Sequence, residues 1–128
     1  MAEGFGQYVG IPPRMRELQK RIKEEGARDP EDLMLIIIDV LKEEVLYPEP
    51  GKFYTFIYNA KTPNIEYDQH PLIACTKIKS WGFIRINFHW RKYRNYTWNE
   101  VAGQLHIVKY EELDELLAIP YAKFLLNK

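Results

Sequence analysis

The hydrophobic pattern of the first third of the chain has a helical period. After two consecutive prolines, apolar side chains recur at helical spacing at Met15, Leu18 and Ile22. This spacing predicts a helix from Pro12-Pro13 to about Glu25, with Gly26 as its C-terminal stop. The apolar stripe is narrow, so we expect this helix to dock on another element rather than to be stable alone.

A second helix has stronger start signals. Asp29 is placed to cap it, and Pro30 occupies the first helical position, where its missing N–H carries no penalty. Apolar residues then cover most faces of the segment, which predicts a helix buried on more than one side. The pattern runs to about Val45 or Leu46, so residues 12–47 are predicted to form an N-terminal helical hairpin.

From Lys52 onward the hydrophobic period changes to two, as is typical of strands. We predict strands over residues 53–58, 71–78, 83–90 and 104–109. Residues 59–70 are a polar connection, and residues 91–103 are predicted to be a loop holding at most a short strand. A short acidic helix follows from Glu111 to Ala118, and the chain ends in an apolar tail.

These elements indicate an α+β fold. Short strands with alternating aromatic residues favour a small open β-barrel of the Src-homology-3 type over residues 51–110. The helical hairpin precedes this barrel, and residues 111–128 form a short C-terminal helix with an apolar tail that must pack on the domain or on a neighbour. Residues 1–11 are Gly-rich with isolated apolar side chains, so we predict a flexible arm that orders against a partner.

Charge is distributed unevenly although the net charge is zero. Residues 1–50 carry seven Lys or Arg against eleven Asp or Glu, residues 51–110 carry nine against three, and residues 111–128 carry two against four. A basic centre between acidic ends can bind an anion, the chain's own ends, or another copy head to tail.

The basic centre is concentrated between Lys77 and Arg94, where six cationic residues and no acidic residue are interleaved with aromatic ones. Cations engage phosphates and aromatic faces accept bases, so this surface suits a polyanion. It equally suits protein docking or an ordinary strand pair with a solvated basic edge. The candidate binding residues, for phosphate or for a partner, are Trp81, Arg85, Asn87, His89, Arg91, Lys92, Arg94 and Trp98.

The predicted third strand assigns these residues to faces. Ile84, Ile86, Phe88 and Trp90 share one face, which we predict to be the core face. Arg85, Asn87 and His89 would then point outward or into a cleft, beside the following cations. Asn and Arg are side chains that reach base edges and phosphates.

Other chemistry finds little support in the sequence. The three histidines lack paired ligand spacing, so no metal site and no cofactor are expected. The single Cys75 lies in an apolar run that would raise its pKa, and we expect a buried, unreactive side chain. Neither a phosphate-binding loop nor a dinucleotide fingerprint is present. Glu66 and Asp68 are two residues apart, a pair better explained by a turn than by acid–base catalysis.

Residues 50–90 carry a more specific pattern. It consists of the aromatic strand FYTFIY, then Tyr-Asp-x-x-Pro-Leu, then Gly-Phe-x-x-x-Asn-x-His followed by an aromatic residue. The pieces lie here at Tyr67, Asp68, Pro71, Leu72, Gly82, Phe83, Asn87, His89 and Trp90. In these residues the chain resembles small structural or accessory proteins of T-even-like tailed bacteriophages. Trp81 and Arg85 stand where members of that group often have glycine.

The resemblance implies a phage-encoded protein associated with the virion, made in the host cytoplasm. Our first hypothesis is therefore a non-enzymatic structural or assembly protein of the tail, baseplate, neck or DNA end. Its partners would be other virion proteins or copies of itself in an oligomeric assembly. The alternatives are a nucleic-acid-binding module, with DNA as partner, and a ribonuclease-like enzyme, since the barrel pattern loosely resembles that of toxin endoribonucleases. No apolar run approaches the roughly 20 residues of a membrane helix, so no membrane partner is expected.

Overall fold

The computed structural model describes residues 10–58, 67–68, 70–89, 91–122 and 124–125. The fold is α+β, as predicted. Its elements are α1 (Pro13–Glu25), α2 (Pro30–Leu41), β1 (Glu44–Val45), β2 (Phe53–Tyr58), β3 (Tyr67–Asp68), β4 (Leu72–Lys79), β5 (Gly82–Asn87), β6 (Lys92–Thr97), β7 (Val101–Val108), α3 (Leu113–Ala118) and β8 (Phe124–Leu125). Two single 3₁₀ turns, Trp98–Glu100 and Tyr110–Glu112, precede β7 and α3 respectively.

Six of the strands form one antiparallel sheet in the order β1-β7-β2-β4-β5-β6. Strands β4, β5 and β6 are consecutive in the sequence and adjacent in the sheet. Strand β7 follows β6 in the sequence but lies between β1 and β2 in the sheet. The sheet is not closed, because β1 and β6 are its two edges. Strands β3 and β8 pair separately.

The two N-terminal helices form where the sequence indicates. Helix α1 ends at Glu25, and Gly26 adopts the left-handed conformation with φ of 67°, which glycine tolerates at a helix C-terminus. The side chain of Asp29 accepts a hydrogen bond from the Glu31 N–H at 3.0 Å and caps α2. None of the described helices is long and apolar enough to cross a membrane.

Helix α2 ends earlier than predicted. It stops at Leu41, and Lys42 takes a positive φ of 64°. Glu44–Val45 then pairs with β7 as an edge strand. The predicted end near Leu46 was wrong because Val45, although apolar, packs against the sheet core and not against the helices.

The segment after β5 also differs from its prediction. Residues 92–97 form a full six-residue strand, β6, paired with β5 along its whole length. The sequence suggested mostly loop because Lys92, Arg94 and Asn95 interrupt the apolar alternation. Cross-strand neighbours on β5 supply the pairing that the local pattern does not show.

The sheet separates two hydrophobic clusters. One face packs against α1, α2 and α3 and contains Met15, Leu18, Leu33, Met34, Ile36, Ile37, Val40, Leu41, Leu72, Val108, Leu116 and Tyr121. The other face, which we call the inner face, contains Tyr54, Phe56, Ile73, Cys75, Phe83, Tyr96 and Leu105. Tyr121 belongs to the tail that was predicted to pack on the domain or on a neighbour, and at this residue it packs on the domain.

An ion-pair network fastens α1 to the C-terminal part of the chain. Arg14 holds both carboxylate oxygens of the buried Glu112, from Nε at 2.7 Å and from Nη2 at 2.6 Å. Its Nη1 also donates to the Leu41 carbonyl at 2.7 Å and to the exposed Glu43 carboxylate. The hydrogen bonds that Arg14 donates, above all to Glu112 and also to Glu43, raise the pKa of Arg14. Bidentate pairs of this kind fix geometry as well as charge.

Several predictions fall on residues outside the described ones. These are the first nine residues of the predicted arm, most of the polar connection 59–70, Trp90, and, in the tail, Lys123 and the last three residues. Within the described part of the arm, Gly10 is exposed and Ile11 is 39% exposed.

Candidate docking surface

The structure reverses the face assignment of β5. Phe83, Arg85 and Asn87 point to the inner face and are each 0% exposed, whereas Ile84 and Ile86 are only half-buried. The prediction that Arg85 and Asn87 face outward or into a cleft was therefore wrong. An alternating strand fixes which residues share a face, but the face that becomes buried depends on the neighbouring strands.

Aromatic neighbours make the burial of Arg85 possible. The register sets Phe83 opposite Tyr96 and Arg85 opposite Arg94, and the Arg85 guanidinium carbon lies 3.5 Å from the centroid of the Tyr96 ring. A planar guanidinium stacks well on such a ring and is less strongly hydrated than an ammonium group. Arg85 is therefore part of the inner-face packing and not part of an external binding surface.

Asn87 and His89 connect the end of β5 to the start of β4. The Asn87 side-chain oxygen accepts a hydrogen bond from the His89 N–H at 2.9 Å. The Leu72 N–H donates to His89 Nδ1 at 3.3 Å, and the His89 ring packs edge-on against Tyr121 at 5.4 Å. His89 is half-buried. These two residues hold the strand ends together and do not form an exposed site.

Gly82 and Phe83 are equally internal. A Cβ on Gly82 would lie 1.8 Å from the Tyr96 carbonyl oxygen, so no larger residue fits between β5 and β6 at this point. Phe83 packs against Phe56, Tyr96 and Trp98. The described residues of the phage-like motif on β4 and β5 thus support the fold, and the motif offers no exposed ligand contacts there.

The remaining predicted cations lie on or beside the edge strand β6. Arg91 and Lys92 are exposed, and Arg94 is half-buried on the inner face with its guanidinium 5.6 Å from the centroid of the Tyr96 ring. Arg91 has a positive φ of 57°, a conformation that costs a non-glycine residue roughly 1 kcal/mol. The register sets Arg94 opposite Arg85 and Lys92 opposite Asn87. These residues are therefore neighbours, but Arg85 and Asn87 are buried whereas Arg91 and Lys92 are exposed.

Trp81 and Trp98 meet at one end of the sheet, which we call the aromatic end (Leu46, Tyr47, Trp81 and Trp98). The Trp98 N–H donates to the Trp81 carbonyl at 3.2 Å, and its indole Nε1 donates to the Ser80 carbonyl at 3.0 Å. Tyr47 stands edge-on against Trp98, with 5.4 Å between ring centroids.

Apolar surface is exposed at the aromatic end. Leu46 is 68% exposed, Tyr47 is 66% exposed and Trp81 is 42% exposed. A groove of about 180 Å³ runs between Leu46, Tyr47, Trp98, Val101 and Leu105. The aromatic end also adjoins β6, because Trp98 follows the last residue of that strand.

Leu46 and Tyr47 were not among the predicted site residues. The sequence assigned them to the end of α2, where apolar residues would be buried. Two signals could have located them: Pro48 directly follows Tyr47, and the Glu-rich segment before Val45 departs from the apolar pattern of α2. Either feature favours an end of the helix before this point.

Titratable groups elsewhere fit structural roles. Burial raises the pKa of the Cys75 thiol to about 11, and its side chain is 1% exposed, which confirms the prediction of a buried cysteine. Burial lowers the pKa of His106, and the nearby Glu44 partly opposes this effect. Among the described residues no three His, Cys, Asp or Glu side chains converge in a way that could hold a metal ion.

Comparisons with known proteins add no relative. No protein-family model, no curated protein and no solved structure matches this chain.

Proposed function

We propose that the protein is a non-enzymatic structural or assembly component of a tailed-bacteriophage virion, which docks to other virion proteins through its aromatic end. The observation that carries the docking role is the exposure of Leu46 and Tyr47 along a groove that Trp98 also lines. The half-exposed Trp81 is joined to Trp98 by a backbone hydrogen bond. The phage context rests on the resemblance carried by residues 50–90. The protein would be made in the host cytoplasm and then built into the tail, baseplate, neck or DNA end.

A protein partner suits this surface better than a polyanion does. Trp, Tyr and Arg are the residues that dominate the energetics of protein interfaces, particularly around a groove that excludes water. A nucleic-acid face would need Arg85 and Asn87 to be accessible to phosphates together with the other cations, yet both side chains are fully buried. The loss of these two contacts removes the middle of the predicted basic face.

The finer architecture belongs to the same proposal. We propose that the six-stranded sheet is an open barrel of the Src-homology-3 type. Register shifts between Thr55 and Ile57 in β2 and between Cys75 and Lys77 in β4 support strong bending, since bulges increase local twist. The ring contacts among Phe56, Phe83 and Tyr96 fill the inner face of such a bent sheet.

Nucleic-acid binding is a second candidate, favoured by the exposure of four cations. Lys77 and Lys79 are exposed on β4 beside the start of β5, and Arg91 and Lys92 are exposed at the opposite end of the β5–β6 hairpin. If they contact phosphates, the affinity for double-stranded DNA should fall with salt at a log–log slope of about −3 or steeper. Absence of binding at low salt would reject this candidate and leave the docking proposal intact.

The docking proposal is tested by incorporation into particles. Particles assembled from the phage genome that carries this gene would be purified and analysed by quantitative mass spectrometry. We expect the wild-type chain in a fixed stoichiometry, and a large loss of a Leu46→Ser/Tyr47→Ser double variant. Both side chains are more than half exposed, so this variant should fold normally.

The matched control is Leu35→Ser, which removes another exposed apolar side chain, 64% exposed on α2. It should enter particles like the wild type, and the melting curves of both variants should match that of the wild type. Unchanged incorporation of the double variant would reject docking through the aromatic end. Absence of the wild-type chain from purified particles would reject the virion role altogether.

A further inference from the structure

We propose that the open edge of β6 accepts an extended, acidic segment of a partner protein, which adds to the sheet as a further strand. This inference rests on the proposed docking role, because it names a second part of the same interface and the chemistry of its partner. The first supporting observation is topological: within the described part of the chain, β6 has one strand neighbour, β5, and is the last strand of the sheet.

The alternation of hydrogen-bonded and non-hydrogen-bonded pairs between β5 and β6 shows which backbone groups of β6 face the open edge. The Thr97 N–H donates to the Glu100 carboxylate at 2.8 Å and not to β5. The ideal Cβ position of its partner Gly82 lies 2.7 Å from the Thr97 Cα, which matches the close approach of a non-hydrogen-bonded antiparallel pair. The alternation of such pairs directs the N–H and C=O groups of Tyr93 and Asn95 away from β5 as well.

Glu100 limits the available edge at one end. Its carboxylate accepts hydrogen bonds from both the N–H and the hydroxyl of Thr97. A partner strand can therefore pair at Tyr93 and Asn95 and must leave the edge near Thr97. It would then reach Trp98, which begins the aromatic end, so the two docking surfaces are continuous. The opposite edge strand, β1, is only two residues long.

Charge selects the partner. No acidic residue occurs between Gln69 and Asn99, and Arg91, Lys92 and Arg94 lie along the edge. Pairing of β6 with a second copy would bring these cations together, and like charges on opposite strands are destabilising. Charges on an edge strand protect against such pairing, while the same charges attract an acidic strand. The open backbone groups supply affinity, as in other cases of strand addition.

Peptide binding tests this inference with the full chain. The probe is a synthetic octapeptide of alternating Glu and Val, and its two controls are the alternating Lys-Val peptide and the Glu-Val peptide methylated at every internal backbone nitrogen. We expect the Glu-Val peptide to bind about tenfold or more tightly than either control. Bound peptide should also slow amide hydrogen exchange at Tyr93 and Asn95.

Variants at one edge position separate backbone pairing from side-chain contacts. Asn95→Pro removes an N–H that faces away from β5, and proline is tolerated at such edge positions. It should weaken peptide binding about tenfold or more, whereas Asn95→Ala should change binding by no more than about twofold. Melting curves would verify that Asn95→Pro is folded. If it is not folded, the comparison of the methylated and unmethylated Glu-Val peptides tests backbone pairing in its place.

Two results would overturn the inference. Equal binding of the methylated and unmethylated Glu-Val peptides would mean that charge attraction acts without strand pairing. Tight binding without slower exchange at Tyr93 and Asn95 would place the peptide elsewhere. Either result would leave docking through the aromatic end untouched, and loss of the virion role in the particle experiment would leave the peptide result untouched.

Discussion

The helix-covered face of the sheet and the β5–β6 hairpin differ in how much of their surface is buried within the chain. On the helix-covered face, α1, α2 and α3 bury a continuous apolar cluster, and Arg14 joins α1 to the buried Glu112. The β5–β6 hairpin buries Arg85 and Tyr96 on its inner side but leaves β6 as an edge strand with the exposed cations Arg91 and Lys92 at its start.

This difference shows where interaction surface is available. Polar groups of the helix-covered face are committed to contacts within the chain, as in the three hydrogen-bonding partners of Arg14. At the hairpin, the outward-facing backbone groups of Tyr93 and Asn95 and the exposed rings of the aromatic end point away from the domain. One region is therefore expected to respond to mutation through stability, and the other through binding.

The largest expected effect is a loss of stability caused by a substitution in the β5–β6 hairpin. Gly82→Ala would place a Cβ 1.8 Å from the Tyr96 carbonyl oxygen, which forces β5 and β6 apart. We expect a loss of about 3 kcal/mol or more in the free energy of unfolding, measured by urea denaturation.

The control for this change is Gly26→Ala. Gly26 has a positive φ of 67° but no neighbouring atom within 4 Å of the added Cβ, so only backbone strain of about 1 kcal/mol is expected. A Gly82→Ala protein as stable as the Gly26→Ala protein would contradict the close pairing of β5 with β6.

A somewhat smaller effect is expected on the helix-covered face. Glu112→Gln removes the charge that pairs with Arg14 and should destabilise the protein by about 2–3 kcal/mol, since Arg14 is partly exposed and a fully buried pair would cost more. Thermal or urea denaturation measures this loss.

Glu43→Gln provides a matched comparison, because Glu43 contacts the same arginine but its side chain is 56% exposed. Its loss should cost less than about 1 kcal/mol. Equal effects of the two substitutions would show that burial does not distinguish the two ion pairs.

The smallest effect concerns the pH dependence of stability. Burial lowers the pKa of His106 in the folded state, so the unfolded chain binds a proton more readily, and stability should fall as the pH drops below about 6.5. His106→Gln should remove this part of the pH dependence. Urea denaturation of both proteins at about pH 7.5 and about pH 5 measures the difference, and identical pH profiles would contradict the assignment.

The sequence predicted elements well where local signals act alone. The start of α2 follows from Asp29 and Pro30, and the end of α1 follows from Gly26, because caps and stops are local. The end of α2 could not be predicted in this way, since Val45 is apolar in either a helix or a strand. Its place beside β7 depends on residues about 60 positions away.

The candidate site was less predictable for the same reason. Arg85 has the sequence appearance of a surface cation, and its burial depends on Tyr96, which the register brings alongside. Trp98 was predicted as a site residue, but its neighbours Leu46 and Tyr47 come from a segment about 50 positions earlier. Aromatic and basic composition singled out this part of the chain, whereas tertiary pairing determines which of its residues are accessible.

The Arg14–Glu112 pair has a consequence for the order of events during synthesis. Its two members are 98 residues apart, and β2 must likewise wait for β7. Helices α1 and α2 leave the ribosome first, yet the surfaces that cover them include Leu72, Val108 and Leu116. Helix α2 is therefore synthesised before the strands and the helix that cover it, and α1 can reach its final position only after Glu112 has been made.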